Sequence, residues 1–473
     1  MKKKVAFKTL GCRLNQYETD ALVTNFDEAG YQLVGFDDSP DVVVVNTCTV
    51  TNQSDQKSRT VISQAARKNK DAVVVVTGCM ANNFKEKLES QENITFVVEN
   101  NRKSSILSLV EAHFTGEILH PGKLPQDVFS YEPVRKSLHT RSAVKIQDGC
   151  DNFCTFCIIP MVRGRAVSRP IADVLENVRK TIANGFKEIV ITGVNIGRYE
   201  DAEARFEDLL ARILEIPGDF RVRISSLEPD GFGDHFVELF SHPKLMPHLH
   251  LCLQSGSEKT LLRMRRMYDV GQFRKTIHQF RTVYPDFNFT TDIIVGFPGE
   301  TEEDFQQTLD AVNEFNFSHV HTFKYSVRTG TRAEKLDNHV PERIKNERSA
   351  LIRQLSIENK HNYYQSLIGK TQNVLVEKIT KNRAYGYGDL YVPVEFQAKE
   401  IQKNSIQTVK LTGLSGEGEK LVLVGELLDN KLKVHSEKQK NKEGHEDTSS
   451  LLYALCSMLS APLRQAQGPD VPS

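Results

Sequence analysis

No run in this sequence approaches the ~18 consecutive apolar residues that a membrane-spanning helix needs. The opening stretch, MKKKVAFKTLGC, is basic but has no long apolar segment behind it, so it does not read as a secretory leader. Net charge is missing too, because 61 basic and 61 acidic side chains cancel. That balance excludes a uniformly basic nucleic-acid-binding surface, and any RNA site must be local. Cysteine is sparse for a secreted disulfide scaffold, with eight in 473 residues. These absences predict a soluble protein of the reducing cytoplasm, long enough for about three domains with cores of their own.

What the sequence does have is cysteine in pattern. Cys150, Cys154 and Cys157 stand in DGCDNFCTFCIIP with CxxxCxxC spacing. Three thiolates this close can hold three irons of a [4Fe-4S] cube and leave the fourth iron open to another ligand. Zinc is the competing metal, but a structural zinc site wants four closed ligands, and no fourth Cys or His follows at short range.

Up to about Thr115 the chain alternates strand and helix signals. VAFKTL, DVVVVNTC and AVVVVTGC are short apolar runs that read as buried parallel strands, so an α/β domain is expected over 1–115. Each run leads into a cysteine: Cys12, Cys48 and Cys79. Ligands in open α/β sheets sit beyond the carboxyl ends of the strands, so the three thiols are candidates for a second metal or cluster site. The plainer reading of each, taken singly, is a small buried hydrophobe.

Residues 116–140 carry proline and glycine without periodicity and read as a linker. Over 141–365 six strand candidates alternate with amphipathic helical segments: AVKIQDG, EIVITGVNI, RVRISSLEP, HLHLCLQSG, FTTDIIVGFPG and HVHTFKYSV. Six βα units predict a partial (β/α)6 barrel with its chemistry at the C-terminal strand ends, and CxxxCxxC falls in the loop after the first. Thr192, Gly193, Val194, Asn195, Ser226, Glu228, Gln254 and Gly296 end later strands and are candidates for cofactor binding, with helix capping or turn shaping as the alternative. Arg163 and Arg165 could steer an anionic substrate, or could be salt-bridged. Cys252 reads as core. Over 366–430 short β runs suggest a small antiparallel barrel. There Lys378, Lys381 and Arg383 interleave with Tyr385, Tyr387 and Tyr391, a mixture suited to phosphate contact and base stacking on RNA, or to an ordinary half-buried strand. The polar stretch from about 431 to 473, with Cys456, is expected to be disordered.

Taken together, TLGCRLNQYETD, VVNTCTVTNQSDQKSR, VVTGCMA and CDNFCTFCIIPMVRGRAVSRP are long and jointly specific. The CxxxCxxC run resembles the signature of the radical S-adenosylmethionine (SAM) superfamily. Residues 3–430 resemble the tRNA and ribosomal-protein methylthiotransferases within it. NTCTVTN followed by Asp55, Lys57, Ser58 and Arg59 looks like the branch acting on N6-threonylcarbamoyladenosine at position 37 of tRNA.

The resemblance implies an N-terminal methylthiotransferase domain, a radical SAM barrel and a C-terminal TRAM domain. Cys12, Cys48 and Cys79 would hold an auxiliary [4Fe-4S] cluster, and Cys150, Cys154 and Cys157 the SAM-cleaving one. SAM would be both methyl donor and radical source. The implied partners are a tRNA anticodon stem-loop, an electron donor of flavodoxin or ferredoxin type and a sulfur donor. Isopentenyladenosine in tRNA and a ribosomal-protein aspartate are the alternative substrates. The usual Glu of a GGE-like motif is absent after the second barrel strand, where this chain has TGVN.

Overall fold

Four consecutive valines make the centre of the N-terminal sheet. In the strand Val42–Thr47, Val42 and Val44 face one core with Val5, Leu22, Phe26, Val73 and Val75. Val43 and Val45 face the other, with Ile62, Ala65, Val74, Val76 and Met80. The period-two alternation of a strand buries both faces, and each valine so enclosed contributes about 1.5–3 kcal/mol. In the computed structural model this strand lies third in a five-stranded sheet ordered Gln32–Leu33, Lys4–Thr9, Val42–Thr47, Val73–Gly78, Phe96–Val98. Every pairing is parallel. The described residues are 2–428 without 69–70, 132–133, 136–138, 234 and 399. The tail expected to be disordered, 431–473 with Cys456, lies outside them.

All six strands expected of the partial barrel are present and parallel. One sheet is ordered Arg221–Ile224, Glu188–Thr192, Ser142–Lys145; the other is His248–His250, Asn288–Val295, His319–Lys324. The bridges Val222↔Leu245 and Leu227↔Leu251 carry the third strand over to the fourth. Phenylalanines 236, 240, 280, 287 and 289 pack ring against ring inside the same core, some pairs edge to face and others tilted. The helix Glu342–Ser366 packs along the last barrel strand and delivers the chain to the C-terminal domain.

That domain is a closed five-stranded barrel, Thr371–Thr380, Arg383–Tyr387, Pro393–Gln397, Val422–Leu427, Ile406–Ser415 in spatial order. It differs from the expected antiparallel barrel in one pairing, because Pro393–Gln397 runs parallel to Val422–Leu427. Residues 116–140, expected as a linker, hold only the short turn of 3-10 helix Pro121–Lys123 among the described residues. Leu124, Tyr131 and Val134 are nevertheless buried, which pins the described part of this stretch.

Candidate active site

The N-terminal sheet register brings its three cysteines to one edge. Thr9 pairs with Asn46 and Asn46 with Thr77, so the segments holding Cys12, Cys48 and Cys79 leave the sheet together. Asn15 ties the first two loops, its Nδ2 donating to the carbonyls of Leu10 at 2.8 Å and Thr47 at 3.0 Å. Ser58 fixes Cys48 through both backbone groups, donating to its carbonyl at 2.9 Å and accepting from its N–H at 3.3 Å. Gly78 turns the chain into Cys79 at φ +97°, where a Cβ would stand 2.3 Å from the Thr47 carbonyl oxygen. Asn100 Nδ2 lies 3.8 Å from Cys79 Sγ. All three cysteines line one cleft of about 1480 Å³ running past the barrel mouth to the C-terminal barrel.

The second trio occupies the loop after the first barrel strand. Gly149, at φ +67°, starts it, and a Cβ there would fall 1.9 Å from the Arg165 carbonyl oxygen. Gln147 accepts from the Val194 and Asn195 N–H groups at 3.0 and 2.8 Å and donates to the Asp148 and Gly149 carbonyls. It therefore joins the cysteine loop to the TGVN turn. Asn195 Nδ2 is 3.9 Å from Cys150 Sγ, and Arg266 Nη1 is 3.0 Å from Cys154 Sγ. Glu228 takes both Arg266, at 2.7 Å, and Asn152 Nδ2, at 2.7 Å. Burial first, then the neighbouring Cys154 and Cys150, pushes the Cys157 thiol up to about 12. Such a thiol ionises readily only when a metal takes its proton's place.

Both trios fit an iron-sulfur cube better than a single ion. One zinc at about 2.3 Å from each sulfur would draw its donors to within about 4 Å of one another. Among the described residues the only three-donor group with all ligand atoms within 4.8 Å is His250, Cys252 and Asp292. The cysteine trios are wider, as three corners of a cube require. N–H donors aimed at the sulfurs are the outer partners that such clusters use.

A buried ionic network lies between the trios. Arg163 donates to Glu18 at 3.0 Å, to Asp148 at 3.0 and 3.1 Å and to Asn15 at 2.7 Å. Lys145 reaches Glu18 at 2.9 Å and Asp148 at 2.6 Å, and Lys103 also pairs with Glu18. Burial alone would raise the Glu18 carboxyl, but Arg163, Lys103 and Lys145 hold it well below the usual range. Arg163 thus locks the N-terminal domain to the barrel and cannot steer a substrate from solvent. Arg165 is exposed and pairs with Asp151 at 2.7 Å. Asp55 has a similar locking part, since Arg328 donates to it at 2.8 Å and to Asn52 at 2.8 Å.

The remaining expected residues divide. Thr192, Gly193 and Ser226 line the cleft with Val194, His250 and Asp292. Asn195 and Glu228 stand instead against the Cys150–Cys157 loop. Gln254, at φ +67°, and Gly296, at φ +71°, are buried turn residues, with Gln254 bridging to the next strand and the Gly296 N–H donating to Glu300. Cys252 is only partly buried and belongs to the His250–Asp292 group, so it is not the plain core residue expected.

In the C-terminal barrel Lys378 pairs across the ladder with Tyr385, and Thr380 with Arg383, which is ion-paired to Glu395 at 2.6 Å. Lys381 is exposed in the hairpin turn. Tyr387 and Tyr391 stack at 4.9 Å and face the rest of the molecule, where Arg13, Arg141 and Arg223 surround the Tyr391 ring.

A partial barrel of six parallel strands, with CxxxCxxC after the first, is the architecture of a radical SAM enzyme. Residues 144–312 match the model described as Radical SAM superfamily, and residues 4–99 that described as Uncharacterized protein family UPF0004. The threonylcarbamoyladenosine tRNA methylthiotransferase MtaB of Thermotoga maritima is 36% identical over 426 residues, covering 88% of this chain and 96% of that one. The MtaB of Bacillus subtilis is 38% identical over 422 residues, covering 86% and 93%. The tRNA-2-methylthio-N(6)-dimethylallyladenosine synthase of Syntrophus aciditrophicus is 32% identical over 395 residues, covering 80% and 85%. The chain belongs to the MtaB family of radical SAM methylthiotransferases. It is an enzyme that works with SAM and [4Fe-4S] clusters.

Proposed function

We propose that this enzyme methylthiolates C2 of N6-threonylcarbamoyladenosine at position 37 of tRNA. Cys12, Cys48 and Cys79 hold the auxiliary cluster, and Cys150, Cys154 and Cys157 the SAM-cleaving one. Two cysteine trios at the carboxyl ends of two sheets, with one cleft between the domains that carry them, are the observation that supports this most strongly. An aromatic C–H is inert to ordinary nucleophiles at neutral pH, so the bound cofactors supply both the methylated sulfur and the radical that removes the hydrogen. The chain's own part is positional. Glu18, Arg163 and Asp148 hold the two trios in fixed relation, while Thr192, Gly193 and Ser226 offer a polar wall for SAM.

Domains of 1–115, 141–365 and 366–430, joined over 116–140, suit this division of labour. The last supplies Lys378, Lys381, Arg383 and Tyr385 to the anticodon stem-loop. A cytoplasmic setting follows from the substrate, and no helix among the described residues is long and apolar enough to cross a membrane. The electron donor is of flavodoxin or ferredoxin type.

Nucleoside mass spectrometry of tRNA from a strain lacking the gene tests the reading. Loss of 2-methylthio-N6-threonylcarbamoyladenosine with its precursor accumulating is expected. An unchanged nucleoside pool, or a loss confined to the dimethylallyl derivative or to a ribosomal peptide, would sink it.

A further inference from the structure

Three arginines line the cleft: Arg13, Arg141 and Arg163. Arg141 is neutralised by Glu377 at 2.7 Å, and Arg163 by Glu18 and Asp148 at 3.0 Å each. Arg13 differs. Among the described residues no carboxylate pairs with it; its one hydrogen-bond partner is the Tyr391 hydroxyl, which accepts from Nη2 at 2.7 Å. The side chain is half-buried, and a guanidinium keeps its charge at any physiological pH. A partly desolvated cation without a counter-ion, held at one nitrogen by a tyrosine, is a site made for an anion, because the rest of its planar fork stays available to two oxygens.

The position of Arg13 identifies that anion. It directly follows Cys12 and opens the helix Arg13–Glu28. In adenine, C2 and the carbon bearing N6 both flank N1, so an N6 arm folded along that edge ends within a side chain's length of whatever approaches C2. The threonylcarbamoyl arm ends in a carboxylate and the dimethylallyl arm in methyl groups. Resting on the proposed function, we propose that Arg13, oriented by Tyr391, reads the carboxylate of the N6 arm and so sets which modified adenosine is accepted. The C-terminal barrel then does more than hold RNA, since its Tyr391 presents the specificity residue of the N-terminal domain.

The test compares full-length reconstituted enzyme on two tRNAs alike except at one group, the threonylcarbamoyl carboxylate or its neutral carboxamide. A site with a partly desolvated, unpaired cation disfavours the neutral analogue, and the wild type should favour the carboxylate by about 100-fold in kcat/KM. Arg13→Gln should bring that ratio to near one, mainly through KM, and Arg13→Lys should restore part of it. A ratio is insensitive to general damage, and iron content and melting temperature report folding separately. Lys57, Lys360, Lys378, Lys403 and Lys420 also line the cleft, and Lys57, exposed on the helix that follows Cys48, is the rival cation set against Arg13. A collapsed ratio in Lys57→Met but not in Arg13→Gln would overturn the inference, as would a wild-type ratio in Arg13→Gln. Wild-type enzyme that acts only on dimethylallyladenosine tRNA would remove the proposed function and this inference with it.

Discussion

Gly78 carries a burden that no other residue type could take. Its φ of +97° is costly for an L side chain, and the added Cβ would meet backbone rather than a flexible group, at 2.3 Å from the Thr47 carbonyl oxygen. Relief requires moving Cys79 away from Cys48. Gly78→Ala should therefore lose the auxiliary cluster selectively, with iron falling from about eight to about four per chain after anaerobic reconstitution. Iron analysis with Mössbauer spectroscopy checks this, and two full clusters in the variant would contradict the account. Replacing Cys12, Cys48 and Cys79 with Ala should do the same and stop methylthiolation, while SAM cleavage to 5′-deoxyadenosine stays measurable. Product from that triple variant would end the auxiliary-site assignment.

Arg266 works through charge. Its guanidinium stands 3.0 Å from Cys154 Sγ, and Glu228 holds it there. Adding an electron to a cluster adds negative charge, which a nearby cation favours. Arg266→Met should shift the potential of the SAM-cleaving cluster to more negative values, seen in a redox titration followed by electron paramagnetic resonance. An unshifted potential would leave Arg266 only a packing part. Nothing in RMRRM marks this arginine, because its sulfur partner is 112 residues away. Cys150, Cys154 and Cys157 stood out by their local spacing, and Cys12, Cys48 and Cys79 by the apolar strand runs that lead into them. Arg266, Gln147 and the locking part of Arg163 were not, since each depends on a contact that only the folded chain makes.

At the scale of elements, a buried carboxylate organises the joint between the C-terminal barrel and the radical SAM barrel. Glu188, on the second barrel strand, accepts from Arg221 at 2.5 Å and from Arg223 at 3.0 Å, with Arg141 at 3.9 Å. Arg221 and Arg223 donate onward to carbonyls of Asn373, Tyr387, Gly388 and Asp389. Burial would raise the Glu188 carboxyl, but Arg223, Arg221 and Arg141 outweigh it and hold it far below the usual range. A carboxyl depressed on folding stabilises above its unfolded value of about 4.3, and the gain is lost as pH falls below that. Glu188→Gln should cost about 3–5 kcal/mol near neutrality by leaving buried guanidiniums unpaired. The gap to wild type should narrow from pH 5 toward pH 3, read by denaturant unfolding across that range. A gap that widens on acidification would contradict the sign. The strands on both sides of this joint were readable from their β-branched runs, apart from Arg383–Tyr387, whose glycine and tyrosines read as a recognition stretch. The arginine cage itself was invisible, because RVRISSLEP reads only as a barrel strand and its partners Asn373, Tyr387, Gly388 and Asp389 lie more than a hundred residues on.

For the whole molecule, the three-part order of the sequence does not mean three independent parts. The sequence alone suggests that a cut near Tyr364 would leave uncoupled SAM cleavage intact while tRNA binding and methylthiolation fall. The structure argues otherwise, since that cut would expose Glu188, Arg221 and Arg223 and release Arg13 from Tyr391. RNA affinity is better probed at the hairpin of the C-terminal barrel, where it borders the cleft. Lys378 and Lys381 are exposed, make no ion pair among the described residues and flank Tyr385 on the hairpin. Each phosphate neutralised contributes about −0.9 to the slope of log affinity against log salt on a duplex and about −0.7 on a single strand. Lys378→Ala with Lys381→Ala should weaken tRNA binding several-fold at low salt and flatten that slope by about 1.5, leaving the two curves to converge as salt rises. The chain's balanced charge makes so small a set of lysines decisive, because no broad basic surface stands behind them. Parallel salt titrations of the two proteins, with equal slopes, would move the RNA track off this hairpin and deeper into the cleft that Cys12, Cys48 and Cys79 line.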